Sequence, residues 1–231
     1  MIFFSALIPS EENPLGEDHS RKYTPLTPIY HKGKFDLLIK IYYANVDPNF
    51  PKGGIVTQWI NNLSIGSEVL MRGPIGRLFY YGDGLFKMGS KDKPVTWKEK
   101  QYNKIGMLAG GTGITPLFQI LQNSDLNNDT IEFSLIFGNK TSKDILLKNQ
   151  LDEMHKKQNF KFSNLIYTID KEEDGWTGKV GLITKEKIAK YIPEPSEDTL
   201  IIICGSGKMC KKYLFPLLLE MGYSKENIFI F

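Results

Sequence analysis

The feature that most constrains this chain is the alternation in its second half. From residue 105 onward, short apolar runs alternate with segments of helical periodicity. IGMLA precedes PLFQILQN, with Leu117, Ile120 and Leu121 on one stripe. TIEFSLIFGN precedes KDILLKNQLDEMHKKQ, with Ile145, Leu147, Leu151 and Met154 on another. FKFSNLIYTID precedes TKEKIAKYI, TLIIICG precedes KMCKKYLFPLLLEMG, and ENIFIF ends the chain. This strand–helix order predicts a parallel sheet covered by helices on both faces.

The first third reads differently. IFFSAL, KFDLLIKIYY and SEVLMRGPI are rich in β-branched and aromatic residues, and the turn clusters PSEENPLGEDHS, NVDPNFPKGG and LSIG separate them. Phe35, Leu37, Ile39 and Ile41 alternate with Asp36, Leu38, Lys40 and Tyr42, as in a half-buried strand. IVTQWINNL predicts one short helix, with Val56, Trp59, Ile60 and Leu63 on one side. Residues 82–103 are polar and basic and read as a linker with room for a hairpin. The expected division is an antiparallel β-domain over 1–87, a linker over 88–102 and an α/β domain over 103–231.

Composition excludes several classes. A net charge of +3 is too small to imply nucleic-acid binding. Two cysteines, Cys204 and Cys210, neither build a disulfide framework nor show the spacing of a zinc pair, so a reducing compartment is expected. His19, His31 and His155 are too scattered for a metal site, and none is expected. No run approaches the roughly 20 apolar residues of a membrane helix. MIFFSALIP lacks the charged leader and cleavage site of a signal peptide and reads as a strand.

Three motifs carry chemistry. AGGTGITPL follows an apolar strand and opens a helix, where main-chain amides can hold a pyrophosphate. The dinucleotide fingerprint fails, because counting from Gly111 its third glycine falls on Pro116. No Gly-Lys-Ser/Thr follows. Spacing alone leaves both a phosphate-side turn and a plain helix cap open. RKYTPL offers a forked donor for phosphate, a flat ring face and a hydroxyl, or an ordinary strand start before Pro25. IIICGSGKM places Cys204 at the carboxyl end of a strand, where open parallel sheets bind ligands, although a buried cysteine is as often a small filler.

Taken in order, RKYTPL, FPKGGIVTQWI, RGPIGRLFYYGDGLF, MLAGGTGITPLFQI, FGNKTSKDILLKNQLDEM, LIYTID and IIICGSGKM resemble the ferredoxin-reductase superfamily, in particular its NADH–cytochrome b5 reductase branch. The likeness spans about residues 21–231. It implies an N-terminal β-barrel domain for FAD, an α/β domain for NADH, and onward transfer of single electrons to cytochrome b5 or a similar acidic haem protein. By resemblance, Arg21 would bind the FAD pyrophosphate and Tyr23 would lie against the isoalloxazine. Thr24 and Thr57 would place hydroxyls near its reactive nitrogen. Leu38 and Lys40 would line the ribityl and phosphate side, with Tyr42 and Phe50 near the adenine part. Gly54, Ile55 and Val56 would give amides to phosphate, and Thr115 would touch the flavin.

On the nucleotide side, the resemblance sets Gly110, Gly111 and Thr112 by the NADH pyrophosphate. Asp170 matches the acidic residue that favours NADH by repelling a 2′-phosphate. Cys204, Gly205 and Met209 would wall the nicotinamide, with Phe231 flanking them. The nicotinamide is expected to stack on the flavin between Thr115 and Cys204, with Thr24, Thr57 and Cys204 as the catalytic set. A basic set, Lys32, Lys34, Lys87, Lys91, Lys93, Lys98 and Lys100, would greet the acidic partner.

The chain also departs from the family. CGSGKM replaces Cys-Gly-Pro-Pro-Pro-Met, predicting a looser loop with an added Lys208. Ile55-Val56-Thr57 replaces Lys-Met-Ser, losing the lysine and keeping the hydroxyl. The family's first barrel strand has no counterpart here. The strand expected before RKYTP is absent too, since only EDHS intervenes. Either further N-terminal residues exist or the flavin site is incomplete. A monomer is expected, cytoplasmic or peripheral on the endoplasmic reticulum or mitochondrial outer membrane. Two alternatives stand beside the cytochrome b5 reading: the same chemistry with a quinone or another haem acceptor, and a truncated nucleotide-binding paralogue without activity.

Overall fold

The computed structural model describes residues 1–8, 16–28, 30–48 and 50–231. Of the turn cluster expected over 9–20, residues 9–15 lie outside the described residues, as do Ile29 and Asn49, and 17–20 belong to a strand. The chain divides into two compact units, Met1–Gly76 and Arg77–Phe231.

In the first unit, β1 (Ile2–Ile8) pairs antiparallel with β2 (Glu17–Tyr23) on one side and β3 (Leu70–Arg72) on the other. Alternation along β1 buries Phe4 and Ala6 on one face. On the other face the Phe3 ring lies between Lys22 Nζ, 5.1 Å from its centroid, and the Arg72 guanidinium at 4.9 Å. Each cation sits on a directly opposed strand position. Helix α1 (Ile55–Asn61) buries Val56 and Thr57, and its Trp59 meets Phe4 edge-on at 5.9 Å.

Two expectations for this unit are corrected. The strand before RKYTP is present: EDHS and RKY are one strand, β2, in register with β1 from Ile2↔Tyr23 to Ile8↔Glu17. Its polar sequence hides it, because most of β2 is exposed and needs no apolar alternation. FDLLIKIYY, by contrast, forms no strand. Its ladder is a single bridge between Leu37 and Pro25, with one adjoining bond from Leu26 N–H to Asp36 O at 2.9 Å. Pro25 has no N–H to extend the pairing. Phe35, expected to face inward, is exposed.

The second unit opens with an antiparallel sheet, β4 (Leu78–Tyr80), β5 (Leu85–Gly89) and β6 (Trp97–Gln101). The basic segment over 82–103 is thus a hairpin within the second unit rather than a linker, and the unit begins at Arg77 rather than at 103. Its polar outer face misled the sequence reading. Phe86, Met88 and Tyr102, with the two glycines Gly84 and Gly89, are its buried positions.

A six-stranded parallel sheet follows, in the order β10-β9-β8-β7-β11-β12. Its strands are β7 (Lys104–Gly110), β8 (Glu132–Asn139), β9 (Phe162–Ile169), β10 (Lys179–Val180), β11 (Thr199–Cys204) and β12 (Ile228–Ile230). The central strands β7, β8 and β11 are buried almost throughout, as parallel strands covered on both faces must be. Between them run α2 (Ile114–Asn127), α3 (Lys148–Lys156), α4 (Lys185–Tyr191) and α5 (Phe215–Glu220). On one face, Leu108, Ile136, Ile201 and Ile203 pack with Ile188, Leu214 and Leu218. Each such side chain contributes about 1.5–3 kcal/mol by leaving water.

Two helices start or wind differently from their periodicity. KDILLKNQ does not begin α3, because the Asp144 carboxylate folds back on Thr141 N–H and Oγ1 at 3.2 and 2.9 Å, closing a separate turn over Ser142–Asp144. Leu147 then turns left-handed, with φ 57°. KMCKKYLFPLLLEMG is a wide π turn over Lys208–Leu214 followed by α5. Pro216, near the start of α5, lacks an N–H and crowds the carbonyl four residues earlier, which the wider turn relieves.

Candidate cofactor and nucleotide site

In the first unit three of the expected flavin residues, Tyr42, Gly54 and Thr57, are directly bonded to one another. Thr57 Oγ1 donates to Gly54 O at 3.0 Å and accepts from Tyr42 N at 3.2 Å, and Gly54 N donates to Tyr42 O at 2.8 Å. This ties α1 to the extended segment bearing Leu38, Lys40 and Tyr42. Gly53 is obligatory here: its φ is +63°, and a Cβ would lie 2.5 Å from Tyr42 O. Gln58 reinforces the junction by accepting from Ala44 N at 3.2 Å and donating to Lys52 O at 3.0 Å. Sequence reading passed over Gln58 and Gly53, although both lie inside the quoted FPKGGIVTQWI.

Helix α1 begins at Ile55 with no side-chain cap, which leaves its first amides to an external acceptor. Ile55 itself turns its side chain outward, so its expected contribution is the amide alone. Thr24 and Thr57 are buried. Tyr23 meets Phe4 edge-on at 6.2 Å, and burial raises its hydroxyl pKa against the pull of nearby Arg21. Arg21 is exposed and spends one N–H on Ser20 O at 2.8 Å, which leaves further donors on the fork. Tyr42 and Phe50 form an exposed aromatic pair, centroids 6.4 Å apart, with Lys40 Nζ 5.7 Å from the Tyr42 ring. Uncapped amides, a guanidinium, buried hydroxyls and exposed rings form a donor set suited to a flavin dinucleotide.

In the second unit the expected nucleotide residues line one edge. The sheet order makes β7 the switch strand, since the chain proceeds to β8 on one side and returns to β11 on the other. Ligands bind at the carboxyl ends flanking such a point. Along that edge stand Asp170 after β9, Asn139 ending β8, Gly110 and Gly111 ending β7, Cys204 and Gly205 ending β11, and Phe231 after β12. Three strand spacings, about 15 Å, separate the Asp170 end from Cys204.

The glycines explain the local packing. A Cβ on Gly113 would strike the Cys204 carbonyl, and one on Gly110 would lie 2.6 Å from Met209 Sδ. A Cβ on Gly205 would meet Met209 Cε at 2.6 Å. The AGGTG loop and the CGSGKM loop therefore touch through glycine and Met209. Gly111, with φ +51°, faces open space. Gly113 was missed as a site residue, although it lay in the quoted motif. Helix α2 also begins without a side-chain cap, and Thr115 Oγ1 turns back to Thr112 O at 3.2 Å. The CGSGKM loop is organised by Ser206, whose Oγ accepts from Met209 N at 3.2 Å and whose carbonyl accepts from Cys210 N at 2.9 Å. Burial pushes the Cys204 thiol up to about 12, helped by neighbouring Cys210, so it is a neutral wall rather than a thiolate. Phe231 N donates to Ile203 O at 3.1 Å, holding the last residue beside β11. Asp170 N donates to Asn139 O at 3.1 Å. Among the described residues no cluster could hold a metal ion, and no helix is long and apolar enough to cross a membrane.

Comparison with known proteins agrees with this layout. The oxidoreductase FAD-binding domain family matches residues 8–80, and the oxidoreductase NAD-binding domain family matches residues 107–214. NADH-cytochrome b5 reductase 2 of Rattus norvegicus is 40% identical, covering 91% of this chain and 76% of its own length. That of Homo sapiens is 38% identical, with the same coverage of 91% and 76%. The crystal structure of the cytochrome b5 reductase domain of Ulva prolifera nitrate reductase superposes with a TM-score of 0.90 at 32% identity, covering 100% of this chain and 83% of that one. A β-unit with an FAD-binding match, followed by an α/β unit with an NAD-binding match, defines an NADH-dependent FAD oxidoreductase. Within that class, the chain belongs to the NADH-cytochrome b5 reductase family.

Proposed function

We propose that this chain oxidises NADH and delivers electrons one at a time to a haem protein of the cytochrome b5 type. The observation that carries the reading is the carboxyl edge of the parallel sheet. There Gly110, Gly111, Cys204 and Gly205 meet at the switch strand, and the uncapped α2 N-terminus opens beside them. FAD, when bound, supplies the hydride acceptor and the one-electron chemistry. The protein's part is to bind, orient and shield.

Arg21 and the amides of Ile55 and Val56 hold phosphate oxygens, the Gly54 amide being spent on Tyr42 O, while Leu38, Lys40, Tyr42 and Phe50 line the remainder of the flavin. Tyr23, Thr24 and Thr57 bound the ring, the two hydroxyls acting as hydrogen-bond partners. On the nucleotide side, Gly110, Gly111 and Thr112 present main chain to the pyrophosphate, and Asp170 disfavours a 2′-phosphate by charge. Cys204, Gly205 and Met209 give the nicotinamide a neutral, closely packed wall, flanked by Phe231, and Thr115 steadies the loop through Thr112. Alignment at that wall is the protein's main contribution to rate. The functional division follows the two family matches, a flavin part ahead of a nucleotide part.

An acidic partner is drawn by exposed Lys32, Lys34, Lys91, Lys93 and Lys98. Lys87 and Lys100 contribute less, since they pair with Glu99 at 3.2 Å and Glu197 at 2.8 Å. Free Cys204 and Cys210 suit a reducing compartment, and we take the working unit as a monomer. A second acceptor reading, another haem centre, is favoured by the likeness to the reductase domain of a nitrate reductase. The test begins with a spectrum. The purified protein is expected to be yellow and to bleach on anaerobic addition of NADH, and then to reduce cytochrome b5 at a rate that falls as salt rises. A colourless protein that stays colourless with added FAD overturns the reading. Fast reduction of a quinone, with none of cytochrome b5, replaces the acceptor.

A further inference from the structure

Lys187 lies in the first turn of α4, where the helix dipole disfavours a cation, and Lys179 adds repulsion. Burial is the main cause that lowers its pKa, ahead of the Lys179 charge. The charge is nevertheless gripped. Lys187 Nζ donates to Val180 O and Leu182 O at 2.7 Å each, with longer contacts to Thr168 Oγ1 at 3.2 Å and Gly181 O at 3.3 Å. Three consecutive carbonyls thus converge on one ammonium. The same turn is bonded to β9: Thr168 Oγ1 donates to Gly181 O at 2.6 Å, and Gly181 N donates to Ile169 O at 2.7 Å. The next residue after Ile169 is Asp170. From there the loop over 171–178 is held at its far side, where the Glu173 carboxylate accepts from Ser142 N at 3.1 Å. Trp176 Nε1 donates to Lys179 O at 3.0 Å.

We propose that Lys187 is a positioning residue for NADH recognition: by clamping the carbonyls of Val180, Gly181 and Leu182 against β9, it fixes Asp170 at the carboxyl edge of the sheet. The inference rests on the nucleotide reading above. A lysine that serves only solubility does not converge on three main-chain carbonyls beside the residue that selects the cofactor.

The experiment measures NADH affinity and steady-state kinetics together, on the full chain with its flavin. Lys187→Met keeps the apolar stem and removes the donors. It is expected to raise the Kd and KM for NADH on the order of tenfold, to leave kcat at saturating NADH near wild type, and to narrow the preference for NADH over NADPH. Lys187→Arg should restore much of the affinity. In an Asp170→Ala background the same Lys187→Met change should cost little more, because the two residues act in series. Unchanged Kd and KM, or equal losses with and without Asp170, overturn the inference while leaving the reductase reading intact. If Lys187→Met does not fold, Thr168→Ala, which removes the shorter of the two side-chain donors to Gly181 O, must shift KM in the same direction or the inference fails. Wild type that binds NADH yet reduces no haem protein removes the acceptor reading only, and the Kd values still decide Lys187. Wild type that binds no NADH removes both.

Discussion

At the scale of single residues, Cys204 is the sharpest case. It ends β11 opposite Ala109, beside the glycines that bring the two loops together. Burial raises its thiol pKa to about 12, which keeps it protonated at neutral pH, as the proposed role of a neutral packing surface requires. Cys204→Ala is therefore expected to slow flavin reduction by NADH about ten- to a hundredfold through lost alignment, with FAD content unchanged. Wild-type reduction should show no thiol titration between pH 6 and 9. Stopped-flow reduction across that range checks both points, and an ionisation near 8 that vanishes in the variant would refute the neutral role. Lys187 marks the opposite limit of legibility. In the sequence it is one lysine among several on TKEKIAKYI, and only folding reveals its four oxygen neighbours.

At the scale of elements, glycine decides what the loops can do. Gly113 lets α2 approach the end of β11, and Gly111 supplies a left-handed turn in open space. The two should respond differently to a methyl group. Gly113→Ala must displace the Cys204 carbonyl and should cost about 1–3 kcal/mol of stability, with weaker NADH binding. Gly111→Ala should cost about 1–2 kcal/mol from its dihedral alone and leave the β11 end in place. Urea unfolding paired with NADH titration distinguishes them. Equal loss of NADH affinity in both variants would show that Gly113 packing does not matter to the site. Elements with strong apolar patterning, such as β7, β8, β11 and α2, were legible because burial dictates their residues. β2 was not, because it is mostly exposed, and the wide turn before α5 was not, because its cause is a single proline two residues beyond its end.

At the scale of the whole molecule, the α/β unit stores several protonated groups. Burial raises the Tyr102 and Tyr223 hydroxyls to about 12, as it does the Cys204 thiol. Each keeps its proton in the folded state, whereas the unfolded chain releases it at the ordinary values of 9.0 for the thiol and 10.0 for the phenols. The folded state then binds more protons than the unfolded one, so stability is lost as pH rises from about 9 towards 12. Urea midpoints at pH 8, 10 and 11 should fall in that order. A flat series would mean that these groups are exposed. Tyr102→Phe should flatten part of the slope, at the cost of the bond to Asn227 Oδ1, now 3.2 Å.

The amino-acid sequence by itself determined the order of strands and helices in the second half, the family, and the motifs from which the cofactor residues are proposed. Those properties rest on local patterning and on motifs contiguous in the chain. Tertiary structure alone decided that a polar stretch becomes β2 and that the basic segment belongs to the second unit. It also decided that Gly113 and Met209 bring distant loops into contact, and that Lys187 clamps the turn beside Asp170. Each of these depends on a partner far along the chain, and no local pattern encodes which backbone a side chain will meet.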